Sequence, residues 1–238
     1  YGFQHPLVRS NNPMVFDGGD DYIDTGNTFQ STFRDSFSFS AWIYLDDGDD
    51  SSSRHLMGSR ETGSEDWIMI RFVSGVIQFY YASNNNGKYA KTNSAVFSNG
   101  ATGWHHVVGV ANNSTNQLSI YLNGSQQTLG SGADDGDISS ITMADFTTTR
   151  NLFIGARNNI GSASEFFDGM INDVAIWDSA LTANEVTALY NSGLPLLTTA
   201  DSGNYASADD LVGYWRNDGV TTWLDRSTNS NNGTVSGS

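Results

Sequence analysis

The stretch Phe37-Ser-Phe-Ser-Ala-Trp-Ile-Tyr-Leu45 decides how the rest of the chain is read. Side chains in an extended strand repeat every two residues, so Phe37, Phe39, Ala41, Ile43 and Leu45 share one face. Similar strand signals recur on both sides, separated by polar turns. Trp67 to Phe72 and Val76 to Tyr81 flank Ser74-Gly75, which predicts a hairpin. Trp104 to Val110 and Leu118 to Leu122 flank Asn112-Asn-Ser-Thr-Asn116, a second hairpin, and Asn123-Gly124 opens another turn. Asn151 to Ala156 and Met170 to Trp177 read as further strands, as does Leu211-Val-Gly-Tyr-Trp215. Asp46 to Ser53 reads as an acidic loop, and residues 130–149 as a long Gly/Asp/Ser/Thr-rich loop.

One helix is expected. Thr182-Ala-Asn-Glu185 is a capping box, in which the Thr hydroxyl satisfies an early N–H and Glu reaches back. Val186, Leu189 and Tyr190 follow at helical spacing, Gly193 suits a left-handed cap, and Pro195 blocks continuation. So short a helix is expected to plug one end of a sandwich. A parallel sheet would need a crossover helix between strands, and no such pattern exists. The fold class is therefore all-β, a two-sheet antiparallel sandwich with one short helix. Phe39, Trp42, Ile120 and Ile176 are expected to meet in one interior. By boundaries, residues 1–13 read as an arm, 14–193 as the sandwich, 194–210 as a linker, and 211–238 as a C-terminal strand and tail.

Composition excludes several functions. The chain has 238 residues and a net charge of −15, from 26 acidic and 11 basic side chains. Lysine occurs only at Lys88 and Lys91, and the arginines are scattered. With no basic run for a phosphate backbone, no nucleic-acid partner is expected. An anionic membrane surface would repel the chain, and no apolar run approaches the roughly 20 residues needed to span a bilayer. Cysteine is absent, which removes disulfides, thiolate zinc sites and cysteine catalysis.

Several segments carry a family likeness. Phe16-Asp-Gly-Gly-Asp-Asp-Tyr-Ile23, Phe37-Ser-Phe-Ser-Ala-Trp-Ile43 and Gly103-Trp-His-His-Val-Val108 resemble laminin-G-like, concanavalin A-like jelly-roll domains. So do Leu118-Ser-Ile-Tyr-Leu-Asn-Gly124, Leu152-Phe-Ile-Gly155, Phe167-Asp-Gly-Met-Ile-Asn-Asp-Val-Ala-Ile-Trp177 and the helix Ala180 to Gly193. The resemblance implies a jelly roll, a fold that hosts lectins, adhesion modules, glycosidases and structural parts. It departs in one respect: the segment from Leu211 through Thr234 usually precedes the Phe-Asp-Gly strand in this family, and here it follows the helix. It could pair in cis, be donated to another copy through Tyr214 and Trp215, or begin a truncated repeat. A tail of this type also resembles structural proteins of marine tailed phages.

The expected function is that of a non-catalytic structural or adhesion module, extracellular or on a virion surface. Its partners would be neighbouring subunits, including copies of itself in a homo-oligomer, or a cell-surface glycan. The alternatives are a secreted calcium-dependent carbohydrate-binding module and a glycoside hydrolase. Related glucanases place two or three carboxylates on one strand as Glu-x-Asp-x-Glu; Glu61, Glu65, Glu165 and Glu185 do not form that motif. No catalytic residue is assigned, and Glu61-x-x-x-Glu65-Asp66 reads as a solvated turn. His105 and His106 point to opposite faces of a strand and cannot share a metal, and His55 has no evident partner.

Calcium wants six to eight hard oxygens. Asp17, Asp20 and Asp21 sit in one turn-rich strand entry. The resemblance adds Asp173, because the first and last strands of such domains are neighbours and often hold a calcium between them. A sugar site needs aromatic platforms beside polar side chains. Tyr80-Tyr81 and the loop Asn84 to Tyr89, with Asn85 and Tyr89, supply one, and Trp67 and Arg60 could contribute from a nearby loop.

Overall fold

The computed structural model describes residues 13–63, 65–216 and 222–237; most of the expected N-terminal arm lies outside them. The first strands are β1 (Met14–Asp17), β2 (Tyr22–Asp24), β3 (Phe37–Leu45), β4 (Arg54–Arg60), β5 (Trp67–Val73) and β6 (Val76–Ser83). They are followed by β7 (Asn86–Lys91), β8 (Trp104–Asn112), β9 (Gln117–Leu122), β10 (Ser125–Gln126), β11 (Phe153–Ile154), β12 (Arg157–Asn159) and β13 (Ser162–Ser164). The chain closes with β14 (Asp168–Trp177), helix α1 (Ala183–Tyr190), β15 (Leu211–Trp215), β16 (Thr222–Trp223) and β17 (Gly233–Ser236).

Two sheets result. A seven-stranded sheet runs β1-β14-β3-β8-β9-β10, with β15 also paired to β14. A ten-stranded sheet runs β16-β17-β2-β11-β4-β5-β6-β7, with β12 and β13 attached beside β4. Pairing is antiparallel except between β12 and β4. The Ser74-Gly75 hairpin forms as expected, with φ of 48° and 75° at its two turn residues. The chain is the two-sheet antiparallel sandwich that its alternation demands.

Between the sheets lies the main core. Phe37, Phe39, Ala41, Ile43 and Leu45 all enter it, with Ile120 and Ile176 opposite or beside them. Trp42 does not. Its parity places it on the other face of β3, where it stacks on His106 at 5.2 Å and on Tyr190 of α1 at 5.9 Å. This second apolar layer covers the outside of the seven-stranded sheet and includes Val108, Val110, Trp177, Val186, Leu189 and Tyr205. Helix α1 therefore lies on a sheet face and does not plug an end. Its capping box is as predicted, but the left-handed C-cap is Asn191, with φ 44°, rather than Gly193. Residues 194–210 are not a free linker either. Tyr205 is buried there and accepts a hydrogen bond from Trp177 Nε1 at 2.9 Å.

The C-terminal segment is built into both sheets of its own chain. β15 pairs with β14, and β17 pairs with β2. Trp215 enters the main core, packs edge-on against Phe29 and donates from its indole nitrogen to the Asn231 carbonyl at 2.7 Å. Tyr214 is buried under the outer layer. Neither residue presents surface to a neighbouring subunit.

Glu61 and Asp66, expected in a solvated turn, are structural anchors. Glu61 accepts from the Thr149 backbone and hydroxyl and from Arg150 Nε at 3.2 Å. Burial pushes its carboxyl up, but hydrogen bonds from Thr149 and Thr62 and the Arg150 charge outweigh it and leave the pKa at about 2. Ionised Glu61 therefore stabilises the fold above its ordinary 4.5, and that contribution fades as pH falls from 4.5 toward 2. Glu61→Gln should lower the melting temperature at pH 7 and flatten its fall across that window. A variant with the wild-type pH profile would show that the clamp contributes nothing.

Candidate functional site

The outer face of the ten-stranded sheet carries the site, and alternation puts it there. On β5, Trp67, Met69 and Arg71 share a parity opposite to the core residues Ile68, Ile70 and Phe72. Register aligns Met69 with Tyr80 and Tyr80 with Tyr89, while Arg60 pairs with Trp67, and Arg71 with Gln78 and then Lys91. These residues form a band across β4, β5, β6 and β7. Tyr81, one position on, points inward and is buried in the core.

The band is held by ring contacts. Trp67 meets Tyr80 edge-on at 5.6 Å, and Tyr80 meets Tyr89 at 4.4 Å. The Arg60 guanidinium lies 4.0 Å from the Trp67 centroid, a cation–π contact. Arg157 approaches the same indole from β12 at 5.8 Å, and Arg71 lies 6.0 Å from the Tyr89 ring. Two glycines make the packing possible. A Cβ at Gly87 would overlap the Tyr80 hydroxyl, and one at Gly58 would sit 3.3 Å from both Arg157 and His55.

Charged groups surround the rings. Arg60 donates to Glu65 Oε2 at 3.2 Å and to Asn159 at 3.3 Å, and the Trp67 indole N–H also donates to Glu65 at 3.0 Å. Arg157 sits 3.3 Å from Glu165. His55 lies fully buried below, its Nδ1 3.1 Å from Glu165 Oε2, although the alignment leaves neither atom a well-formed hydrogen bond. Burial, then the positive charges of Arg157 and Arg71, hold the His55 pKa well below the usual histidine range. It is a neutral support for the face.

The expected sugar-site residues are partly united. Trp67, Arg60 and Tyr89 share the band, but on strands β5, β4 and β7 rather than on loops: Asn86 to Lys91 is strand β7. Asn85 is a left-handed turn residue, φ 65°, at the tip of the β6–β7 hairpin beyond the aromatic band. Sequence reasoning missed Arg71, Arg157, His55 and Glu165. Period two along β5 could have found Arg71; nothing local announces the others, because His55 sits on β4, Arg157 on β12 and Glu165 just past β13.

The metal expectation divides. Asp17, Asp20 and Asp21 bring one carboxylate oxygen each to within 4.8 Å of one another. Burial and the charges of Asp17 and Asp20 raise the Asp21 pKa, partly offset by the Asp17 backbone N–H. Three crowded carboxylates of this kind fit a hard cation. Asp173 does not belong with them. Asp17 opposes Asp168, β1 begins with Met14 opposite Ile171, and Asp173 lies further along β14 at a bulge with φ 47°. There it accepts from the Tyr214 hydroxyl at 2.7 Å and faces Arg216 at 3.4 Å. Burial pushes its carboxyl up, and Arg216 and Tyr214 pull it back. It ties down β15.

The fold is an antiparallel sandwich with an aromatic–arginine band on the outer face of one sheet. Residues 17–187 match the family profile described as concanavalin A-like lectin/glucanases superfamily, of laminin G type, and the chain belongs to that family. Comparison with curated proteins finds no match. Among solved structures, one similar to this chain is a Bacteroides ovatus protein described provisionally as carbohydrate binding, with 19% identity and a TM-score of 0.60. The match covers 95% of this chain and 59% of that one, so this chain spans less than two thirds of that protein. Another is the Ruminococcus gnavus IT-sialidase CBM40 bound to α2,6 sialyllactose, at 14% identity and TM-score 0.55, covering 77% of this chain and 98% of that one. A third is tailspike protein 2 of the Escherichia coli O157:H7 bacteriophage CAB120, at 13% identity and TM-score 0.55, covering 90% of this chain and 27% of that one. At these identities the likeness establishes the fold. Among the described residues, no helix is long and apolar enough to cross a membrane.

Proposed function

We propose that the outer face of the ten-stranded sheet binds carbohydrate without cleaving it. The observation that carries this reading is the Trp67–Tyr80–Tyr89 band flanked by Arg60, Arg71 and Arg157. Aromatic rings offer apolar platforms to the C–H face of a pyranose, and fixed polar groups at their edges read hydroxyls and substituents. The carbohydrate-binding neighbours support the same reading. Glu65 and Glu165 flank the band, but each faces an arginine, at 3.2 and 3.3 Å. Both carboxylates are thereby committed to holding the arginines that frame the band. The test is a glycan array on the intact chain, followed by incubation of each hit with the protein. Binding with the oligosaccharide recovered whole is the expected result; no bound glycan, or cleavage products, would overturn it.

The module works outside the cell, where glycans are displayed. A second reading places it on a phage-like particle, by analogy with the tailspike neighbour, and incorporation into particles or fibres seen by electron microscopy is its test.

Calcium completes the proposal. Asp17, Asp20 and Asp21 would hold it and fasten the β1–β2 turn. Calcium addition should raise the melting temperature by several degrees, as expected when a ligand binds only the folded state, and a chelator should reverse the rise. An unchanged melting temperature would remove the ion from the account.

A further inference from the structure

The band differs in charge from the molecule that carries it. The chain bears −15 overall, yet Arg60, Arg71, Arg157 and Lys91 converge on this one face from a total of 11 basic residues. Three of the four have carboxylate partners: Arg60 with Glu65, Arg157 with Glu165, Lys91 with Asp134. Arg71 has none among the described residues. Its Nε donates to the neutral Gln78 oxygen at 2.9 Å and one terminal nitrogen to the Ser53 hydroxyl at 3.3 Å. A guanidinium has five N–H donors, so most of this fork remains free.

The surroundings increase its need for an anion. Burial first, then the charges of Arg157 and Arg71, keep His55 beneath them neutral, and the carboxylate beside that ring, Glu165, is engaged by Arg157. The Nε atoms of Arg60 and Arg157 are buried without partners, and burial is the leading cause that depresses the Arg157 pKa. This is a partly desolvated cationic patch, where a charge-assisted hydrogen bond is roughly twice as strong as a neutral one.

We infer that the face selects sugars bearing a carboxylate, with Arg71 as the residue that reads it. This rests on the glycan-binding reading of the same site. A pyranose laid on Tyr89 has its ring substituents beside the Arg71 guanidinium, 6.0 Å from the ring centroid. The planar fork matches a carboxylate in two parallel hydrogen bonds, geometry that a lysine does not reproduce. Gln78 and Ser53 hold the fork in place before the ligand arrives, so little rotamer entropy is lost on binding.

Calorimetric titration of the intact chain with matched probes tests it: trigalacturonate against its methyl ester, and sialyllactose against lactose. At least one acid should bind about tenfold or more tighter than its uncharged counterpart. Arg71→Gln and Arg71→Lys should both lose that preference while keeping the wild-type melting temperature. Arg34→Gln, which removes the same charge from a turn that touches none of the band's rings, should keep it. If neutral array ligands bind this face as well as either acid, or if neither acid binds while a neutral glycan does, the selectivity is wrong and the glycan reading survives. If no glycan binds, both fall. A sulfated galactan oligosaccharide bound as tightly and as dependently on Arg71 would replace carboxylate selectivity by general anion capture.

Discussion

Alanine in place of Trp67 is expected to weaken glycan binding by about 2 kcal/mol or more, roughly 30-fold in Kd. The indole is the node of the band. It meets Tyr80, carries Arg60 on its face, approaches Arg157 and donates to Glu65. Removing it takes away a platform and also frees the Arg60 side chain that the ring orients. Trp67→Phe keeps a ring but loses the indole N–H, and should recover part of the affinity. Because Trp67 is half-buried, the melting temperature must be followed alongside. The account requires affinity to fall much more than stability does. Equal binding by wild type and Trp67→Ala would place the ligand elsewhere.

The largest effect on stability is expected one residue earlier, at Asp66. Asp66 is fully buried and accepts three hydrogen bonds: from the Asn84 backbone at 2.7 Å, and from the Thr147 backbone and hydroxyl at 3.0 Å each. It ties the β6–β7 hairpin and the loop at Thr147 to the start of β5. Asp66→Ala removes the buried acceptor of three part-buried, charge-assisted hydrogen bonds, each worth about 1.5–3 kcal/mol, with relief from water because Asn84 and Thr147 are exposed. A loss of about 4 kcal/mol is expected, or roughly 10 °C in Tm for a chain of this size. Asp66→Asn keeps one acceptor and should lose less. Chemical denaturation of the three proteins measures this directly; a change under about 1 kcal/mol for alanine would mean that Asp66 does not bear this role. The same residue links stability to the site, since Asp66 fixes the strand end from which Trp67 projects.

The main core was legible because alternation is strict where one face meets the opposite sheet. Phe37, Phe39 and Ile43 follow that rule without exception. Trp42 departs from the expected interior for a physical reason. The reverse face of β3 is also covered, by α1 and by the segment containing Tyr205, and apolar residues on both faces blur the period. Asn84-Asn-Asn-Gly carries turn chemistry that hides strand β7; the two-residue turn ends at Asn85 and pairing resumes at Asn86. β4 went unread because His55-Leu-Met-Gly-Ser59 lacks the β-branched residues that mark strands.

The site was half legible for a related reason. Trp67, Arg60 and Tyr89 stand out by residue type. Arg157 and Glu165 reach the band only because β12 joins β4 in parallel, a pairing that no local pattern encodes. Asp17 and Asp173 were joined by the adjacency of their strands, but register decides contact, and it sets Asp17 against Asp168.

The most direct test follows the indole N–H signals of the chain's six tryptophans by NMR while a glycan identified on the array is added. Trp42, Trp177, Trp215 and Trp223 are buried, and only Trp67 and Trp104 are partly exposed. The Trp67 resonance should move in a saturable manner, with the others nearly still. A saturable shift at Trp104 with Trp67 unmoved would put the ligand on the other sheet and contradict the account.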